Sequence, residues 1–348
     1  MINSMARSIV ILGTGGTIAG KSASASDNVG YVASQVGIAQ LLAAIPSLCA
    51  NDGTAKFGDY ELLSEQVSQI DSKDMNFEVW QHLLARCQFW LAQPYVQGVV
   101  ITHGTDTLEE TAFFLHCALQ SHQPIDKRVD KPVVLTCAMR PATAIAPDGP
   151  QNLLDALAVA SNGGAQGGIT GVVAVCAGVI HSAADVQKVH NYRLDAFSSG
   201  DAGALGYVKE GKLVVYRKYE SNMPIASVLI ASTAMKNIVK MVSLPRVEIV
   251  LNHSGASGSM VEALMVQRQS AKSNKLAGIV VAATGNGTIS QALERALQTA
   301  EAAGVTVWRS SRCAFGSLVG KADAQFGDSA GLSPVKARIA LMLHSALK

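Results

Sequence analysis

The chain is predicted to be an α/β protein: a larger N-terminal domain with a mostly parallel sheet flanked by helices, and a smaller C-terminal α/β domain. Three observations predict this. The 348 residues exceed what one small core organises. Hydrophobic residues make up 49% and charged residues 16%, and alanine, valine and 31 glycines dominate while aromatics reach only 5%; this is the composition of parallel sheets closely covered by helices. Short β-branched runs alternate with helical patterns, the signature of βαβ units.

The predicted strands are Ser8–Leu12, Gly98–Thr102, Pro132–Cys137 and Gly171–Cys176, then Val247–Asn252, Gly278–Ala283 and Thr306–Arg309. Their β-branched content and short length distinguish them from helices. Helices are predicted over Gly37–Leu48, Met75–Gln93, Leu108–Gln120, Asn152–Asn162, Val261–Gln269, Ile289–Ala303 and Val335–Leu347. Thr107-x-x-Glu110 and Thr288-x-x-Gln291 read as capping boxes, Ser333-Pro334 as a cap before a first-turn proline, and Gly304 as a helix-ending glycine. A charged, less regular stretch from about Val208 to Lys240 separates the two groups of strands. The expected domains are residues 1–215 and 244–348, joined by a linker over 216–243.

Charge and cysteine usage narrow the function. A net charge of +2 without a lysine or arginine run offers no surface for nucleic acid. The six cysteines lie far apart without a C-x-x-C pair, and the eight histidines lack H-E-x-x-H spacing, so no metal site is expected. The longest apolar-rich run, Ile169 to Ile180, falls short of the ~20 residues that span a membrane. Ile9 to Leu12 is too short for a secretory core, and a cytoplasmic enzyme with reduced thiols is expected, taking Met1 as the natural start.

The first strand runs into Gly13-Thr14-Gly15-Gly16-Thr17-Ile18-Ala19-Gly20-Lys21-Ser22, which admits three readings. Gly15-x-x-x-x-Gly20-Lys21-Ser22 matches a phosphate loop, but the sequence after Lys21-Ser22 is weak helix material. A dinucleotide fingerprint would need glycine where Ile18 stands. The third reading is a glycine-rich loop at the carboxyl end of a strand, presenting the Thr17 hydroxyl. A second turn, Thr102-His103-Gly104-Thr105-Asp106-Thr107, puts five polar residues in six positions between an apolar strand and a helix. Open α/β sheets bind ligands at such positions, and the helix N-terminus there suits a carboxylate. Cys137-Ala138-Met139-Arg140-Pro141 follows another strand and would line the same crevice. A hydroxyl nucleophile needs a base, and an amine can serve. Lys188 is one candidate, although a solvated surface position is the ordinary state of a lysine. His103 reads as a positioned strand-end residue, not a catalytic base.

Thr14-Gly15-Gly16-Thr17-Ile18-Ala19 and Thr102-His103-Gly104-Thr105-Asp106-Thr107-Leu108-Glu109-Glu110-Thr111-Ala112 resemble the two signature segments of the bacterial-type L-asparaginase family. Ala138-Met139-Arg140-Pro141, Asp148-Gly149-Pro150 with Asn152-Leu153, Arg309-Ser310-Ser311-Arg312 and Lys336-Ala337-Arg338 continue the similarity over nearly the whole chain. The resemblance implies hydrolysis of L-asparagine to L-aspartate and ammonia without a cofactor, with glutamine as a possible second substrate. It implies that Thr17 is the nucleophile and Tyr31 a mobile-loop tyrosine that helps activate it. It implies a second group of Thr105, Asp106 and Lys188, with Asp106 also facing the substrate ammonium. Gly16 and Gly104 would contribute backbone to the substrate site, Ser72 would bind the α-carboxylate, and the Ala138 carbonyl would accept the departing amide nitrogen. Sites between subunits of a homotetramer built from intimate dimers are implied as well, with Thr288 and Asp323 as partner-subunit contacts.

The sequence departs from the family at Lys73, where many relatives carry glutamine or glutamate against the α-amine. A second ammonium there would repel the substrate, so either Lys73 is held away by a carboxylate or amine recognition is altered. Thr288 has an alternative reading as a helix cap. At this level two other functions stay open: a non-catalytic binder of asparagine or aspartate in the same crevice, and a nucleotide-binding loop at Gly15–Ser22.

Overall fold

The computed structural model describes residues 6–50, 52–120, 130–164, 166–218, 238–319 and 325–346. The chain divides into two compact units, Met1–Ser221 and Asn222–Lys348. Most of the expected 216–243 linker lies outside the described residues.

The first unit opens with β1 (Ser8–Gly15), β2 (Lys21–Ser22), β3 (Tyr31–Val32) and α1 (Ile38–Ala43). It continues through β4 (Lys56–Phe57), β5 (Tyr60–Ile70), α2 (Phe77–Leu91), β6 (Val96–Thr102), α3 (Leu108–Gln120), β7 (Val133–Thr136), α4 (Gly149–Asn162) and β8 (Val172–Cys176). Shorter strands follow: β9 (Val179–Ser182), β10 (Gln187–Lys188), β11 (Phe197–Ser198), β12 (Gly206–Lys209) and β13 (Lys212–Val215). The main sheet has the order β13-β12-β9-β8-β7-β6-β1-β5-β4. Its five central strands, β8 to β5, are parallel, and antiparallel pairs finish both edges.

The inner parallel strands β1 and β6 bury both faces: Ile9 to Leu12 and Val99 to Ile101 are all 0% exposed. One face, carrying Ile9, Ile11, Val100 and Val134, packs against Ile38 and Leu42 of α1 and Leu153, Ala156 and Leu157 of α4. Helices α2 and α3 cover the residues of opposite parity, joined by the stacked rings of Trp80 and Phe114 at 4.8 Å.

The second unit holds β14 (Arg246–Leu251), α5 (Ser259–Ser270), β15 (Leu276–Ala283), α6 (Gln291–Ala302), β16 (Thr306–Ser311), β17 (Gly327–Asp328) and α7 (Pro334–Ala346). Among its described residues four strands run parallel in the order β14-β15-β16-β17. Ile279, Val281, Leu293, Leu297 and Val307 form its core. No helix among the described residues is long and apolar enough to cross a membrane.

Several expectations are corrected. The helix expected over Gly37–Leu48 stops at Ala43, and Pro46 opens a separate 3-10 turn to Leu48, because proline lacks the N–H that would continue the first helix. Helix α4 starts at Gly149, earlier than Asn152, with a proline in its first turn where the missing N–H costs nothing. The cap of α6 is Ser290, whose side chain accepts from the Leu293 N–H; Thr288 instead pairs with Thr284 across the Gly285–Gly287 turn. Lys21 and Ser22 are extended and paired with Tyr31 and Val32, so no helix N-terminus exists there to hold a phosphate.

Candidate active site

Strand β1 has β5 on one side and β6 on the other, so strand order reverses beside it. A crevice is expected at the carboxyl ends there. Parallel register puts Gly13 opposite Thr102, which makes the chain leaving β1 and the chain leaving β6 emerge side by side. The Thr14 hydroxyl ties them by donating to the Thr102 carbonyl at 2.9 Å.

The two turns touch through glycine backbone. A Cβ on Gly16 would fall 2.3 Å from the Gly104 Cα, and one on Gly104 would fall 2.4 Å from the Ser72 Oγ. Gly16 also has φ 83, a conformation that side chains disfavour. Its N–H is held by the Ile70 carbonyl and the Ser34 Oγ, and its carbonyl accepts from the Ser34 N–H. Ser34, itself at φ 60, also donates its hydroxyl to Ile70. No sequence motif marks Ser34 as the residue that rivets this turn.

Thr17 follows as the first residue of a 3-10 turn, where its N–H has no partner within the turn. Thr17 is 6% exposed and its Oγ1 lies 2.7 Å from the Tyr31 hydroxyl. The segment bearing Tyr31 is pinned by the β2–β3 pair and by bonds from Ala142 to the Gly20 carbonyl and from Ile145 to the Ala25 carbonyl.

Lys188, on β10, reaches Thr105 from 83 residues away. Its Nζ donates to Thr105 Oγ1 at 2.8 Å and to Asp106 Oδ1 at 2.6 Å. Thr105 is 5% exposed, whereas the Asp106 side chain is 56% exposed. Ser72 is buried beside Gly104 and its carbonyl accepts from the Thr107 hydroxyl at 2.7 Å. Ala138 packs with Ile18 and Ala19 next to Thr17. Lys73 is turned to Asp71 at 2.6 Å and Asp74 at 3.7 Å, which raises its pKa above the usual lysine value.

His103 is 0% exposed, with Nδ1 at 2.7 Å from the Gly104 carbonyl and Nε2 at 2.9 Å from Thr111 Oγ1. A carbonyl only accepts, so Nδ1 carries the proton and Nε2 accepts from the Thr111 hydroxyl. Thr111 in turn accepts from Trp80 Nε1 at 2.9 Å. Burial pushes the His103 pKa down to about 4, against a smaller opposing effect of the Gly104 carbonyl. The neutral ring holds the Gly104 carbonyl, and the N–H of the same peptide, on Thr105, points the opposite way.

Of the expected residues, Gly16, Thr17, Tyr31, Ser72, Gly104, Thr105, Asp106, Ala138 and Lys188 fall in this cluster of the first unit. Thr288 belongs to the second unit. Asp323 lies outside the described residues.

Residues 8–221 match the family model described as Asparaginase, N-terminal, and residues 246–347 match the Glutaminase/Asparaginase C-terminal domain. The chain is 38% identical over 343 residues to a glutaminase-asparaginase of Pseudomonas fluorescens biotype A, covering 96% of this chain and 85% of that protein. It is 35% identical over 346 residues to L-asparaginase 2 of Escherichia coli K12, covering 96% and 88%. The crystal structure of a probable cytoplasmic L-asparaginase from Campylobacter jejuni superposes with a TM-score of 0.79 at 37% identity, over 97% of this chain and 94% of that one. Two matching domain models and relatives this similar over nearly the full length establish that the chain belongs to the asparaginase/glutaminase family.

Proposed function

We propose that the protein hydrolyses L-asparagine to L-aspartate and ammonia through a Thr17 acyl-enzyme, with L-glutamine as a slower substrate. The observation that carries this reading is the pair of hydroxyl centres meeting at the Gly16–Gly104 contact: Thr17 with Tyr31, and Thr105 with Lys188 and Asp106. In the proposed reaction the Thr17 oxygen attacks the side-chain amide carbon while Tyr31 relays its proton. Backbone N–H groups of the two turns stabilise the oxyanion, and ammonia leaves. Water then cleaves the ester, with the Thr105–Lys188 pair managing its proton. Ser72 takes the α-carboxylate and Asp106, the exposed carboxylate of the group, takes the α-ammonium.

The reading includes a homotetramer built from intimate dimers, with Thr288 and Asp323 facing a neighbouring subunit's site. It also includes a cytoplasmic location, which suits the free thiols of Cys137 and Cys176, 3.4 Å apart. The test is ammonia release from L-asparagine by the purified protein. Activity lost in Thr17→Ala and Thr105→Ala variants that melt like the parent would support the assignment. Saturable asparagine binding without ammonia release would select a non-catalytic binder instead.

A further inference from the structure

An aspartate directly before a helix ordinarily caps it, its carboxylate accepting from the first-turn N–H groups. Asp148 precedes α4 and makes no such bond. Both of its oxygens are turned to the chain leaving β7 instead. Oδ2 accepts from the Met139 N–H and Oδ1 from the Arg140 N–H, each at 2.9 Å. One turn along α4, Asn152 is 4% exposed and both ends of its side-chain amide are bonded. Its Nδ2 donates to the Cys137 carbonyl at 3.0 Å and to Asp148 Oδ2 at 3.3 Å, and its Oδ1 accepts from the Ala177 N–H at 3.0 Å.

These bonds bracket one peptide. Asn152 holds the carbonyl before Ala138, and Asp148 holds the two N–H groups after it. In a trans peptide the carbonyl points away from its N–H, so pinning the Met139 N–H to Asp148 turns the Ala138 carbonyl away from α4. Ala138 is 1% exposed, yet no described residue donates to its carbonyl. A buried carbonyl without a protein donor is uncommon, and its usual partner is a water or a bound molecule that supplies the O–H or N–H. The bracket also sits against the nucleophile's turn. A Cβ on Gly149 would fall 2.8 Å from Ile18 Cγ1 and 3.4 Å from Ala138 Cβ.

We infer that Asp148 and Asn152 are positioning residues that hold the Ala138 carbonyl ready to accept an N–H from the amide nitrogen as it leaves. The inference rests on the hydrolysis proposed above. In that step the bond from Thr17 Oγ1 to the amide carbon forms and the carbon–nitrogen bond breaks. The hydroxyl proton ends on the nitrogen, which departs as ammonia. The Ala138 carbonyl takes no proton; it aligns the nitrogen while its lone pair develops.

A leaving group without an N–H is indifferent to that carbonyl. The experiment compares kcat/KM for L-asparagine with that for L-aspartic acid β-methyl ester in the parent, Asp148→Asn and Asn152→Ala. Amide hydrolysis is expected to fall about tenfold, the worth of one well-placed hydrogen bond, with ester hydrolysis within about threefold of the parent. Equal losses on both substrates, or no loss on either, would overturn the inference. Asp148→Asn changes one acceptor and no volume, so it decides alone should Asn152→Ala not fold. A parent protein that releases neither ammonia nor methanol would instead refute the proposed activity itself.

Discussion

Acidification should destabilise this protein through one buried ring. The His103 pKa is pushed from an ordinary 6.5 to about 4 by burial, so the folded chain excludes a proton that the unfolded chain binds between those values. Stability rises with pH wherever the unfolded state holds more protons. His103's contribution is therefore complete above pH 6.5 and is lost as the pH falls through 4. The gap corresponds to about 3 kcal/mol in all, and about 2 kcal/mol of it is gone by pH 5. The structural reason is that Nε2 is engaged as an acceptor of the Thr111 hydroxyl, which itself takes the Trp80 N–H, in a place without solvent. The assay is urea unfolding from pH 8 to pH 4 for the parent and His103→Gln, taking the difference between the two curves so that other groups cancel, beside an NMR titration of the ring. The parent should lose more stability than the variant on acidification. A ring midpoint near 6.5, or superimposable acid slopes, would refute the reasoning.

Gly16→Ala should drive the two turns apart: overpacking costs about 1–3 kcal/mol and the positive φ adds about 1–2 kcal/mol, and an unchanged melting temperature with full activity would contradict the close approach to Gly104. Tyr31→Phe removes the hydroxyl that, among the described residues, is bonded to Thr17 Oγ1 and should lower kcat by roughly 10²–10⁴ if it relays the proton; steady-state ammonia release with less than a threefold drop would remove Tyr31 from that role. Lys73→Gln should change kcat/KM for L-asparagine less than about threefold, because the ammonium is already occupied by Asp71 and Asp74. A tenfold gain on L-asparagine, absent for an N-blocked asparagine, would show that Lys73 faces the substrate amine.

The central parallel strands and the two signature turns are legible in the sequence because they are local. An apolar run followed at once by polar residues and glycine needs only its own neighbours to be read, as at Val99–Thr107. Strand β5 is not legible in the same way. It lies next to β1 near the sheet edge, and only Leu62 and Val67 are buried, so its eleven residues lack the continuous apolar character of the strands inside. Yet β5 delivers Ser72 to Gly104. Lys188 is equally opaque: nothing in its surroundings separates it from a surface lysine until the fold sets its Nζ between Thr105 and Asp106.

What the sequence alone determined is the α/β class, both signature turns and the family resemblance, since hydrophobic period and motif spacing are properties of short stretches. The tertiary structure decided which of those stretches meet. Register between β1 and β6 sets Gly16 against Gly104, and a helix-preceding aspartate turns from its own helix to a strand end eight and nine residues back. Such pairings depend on which strand lies beside which, and on the space left between them, and no local periodicity encodes either.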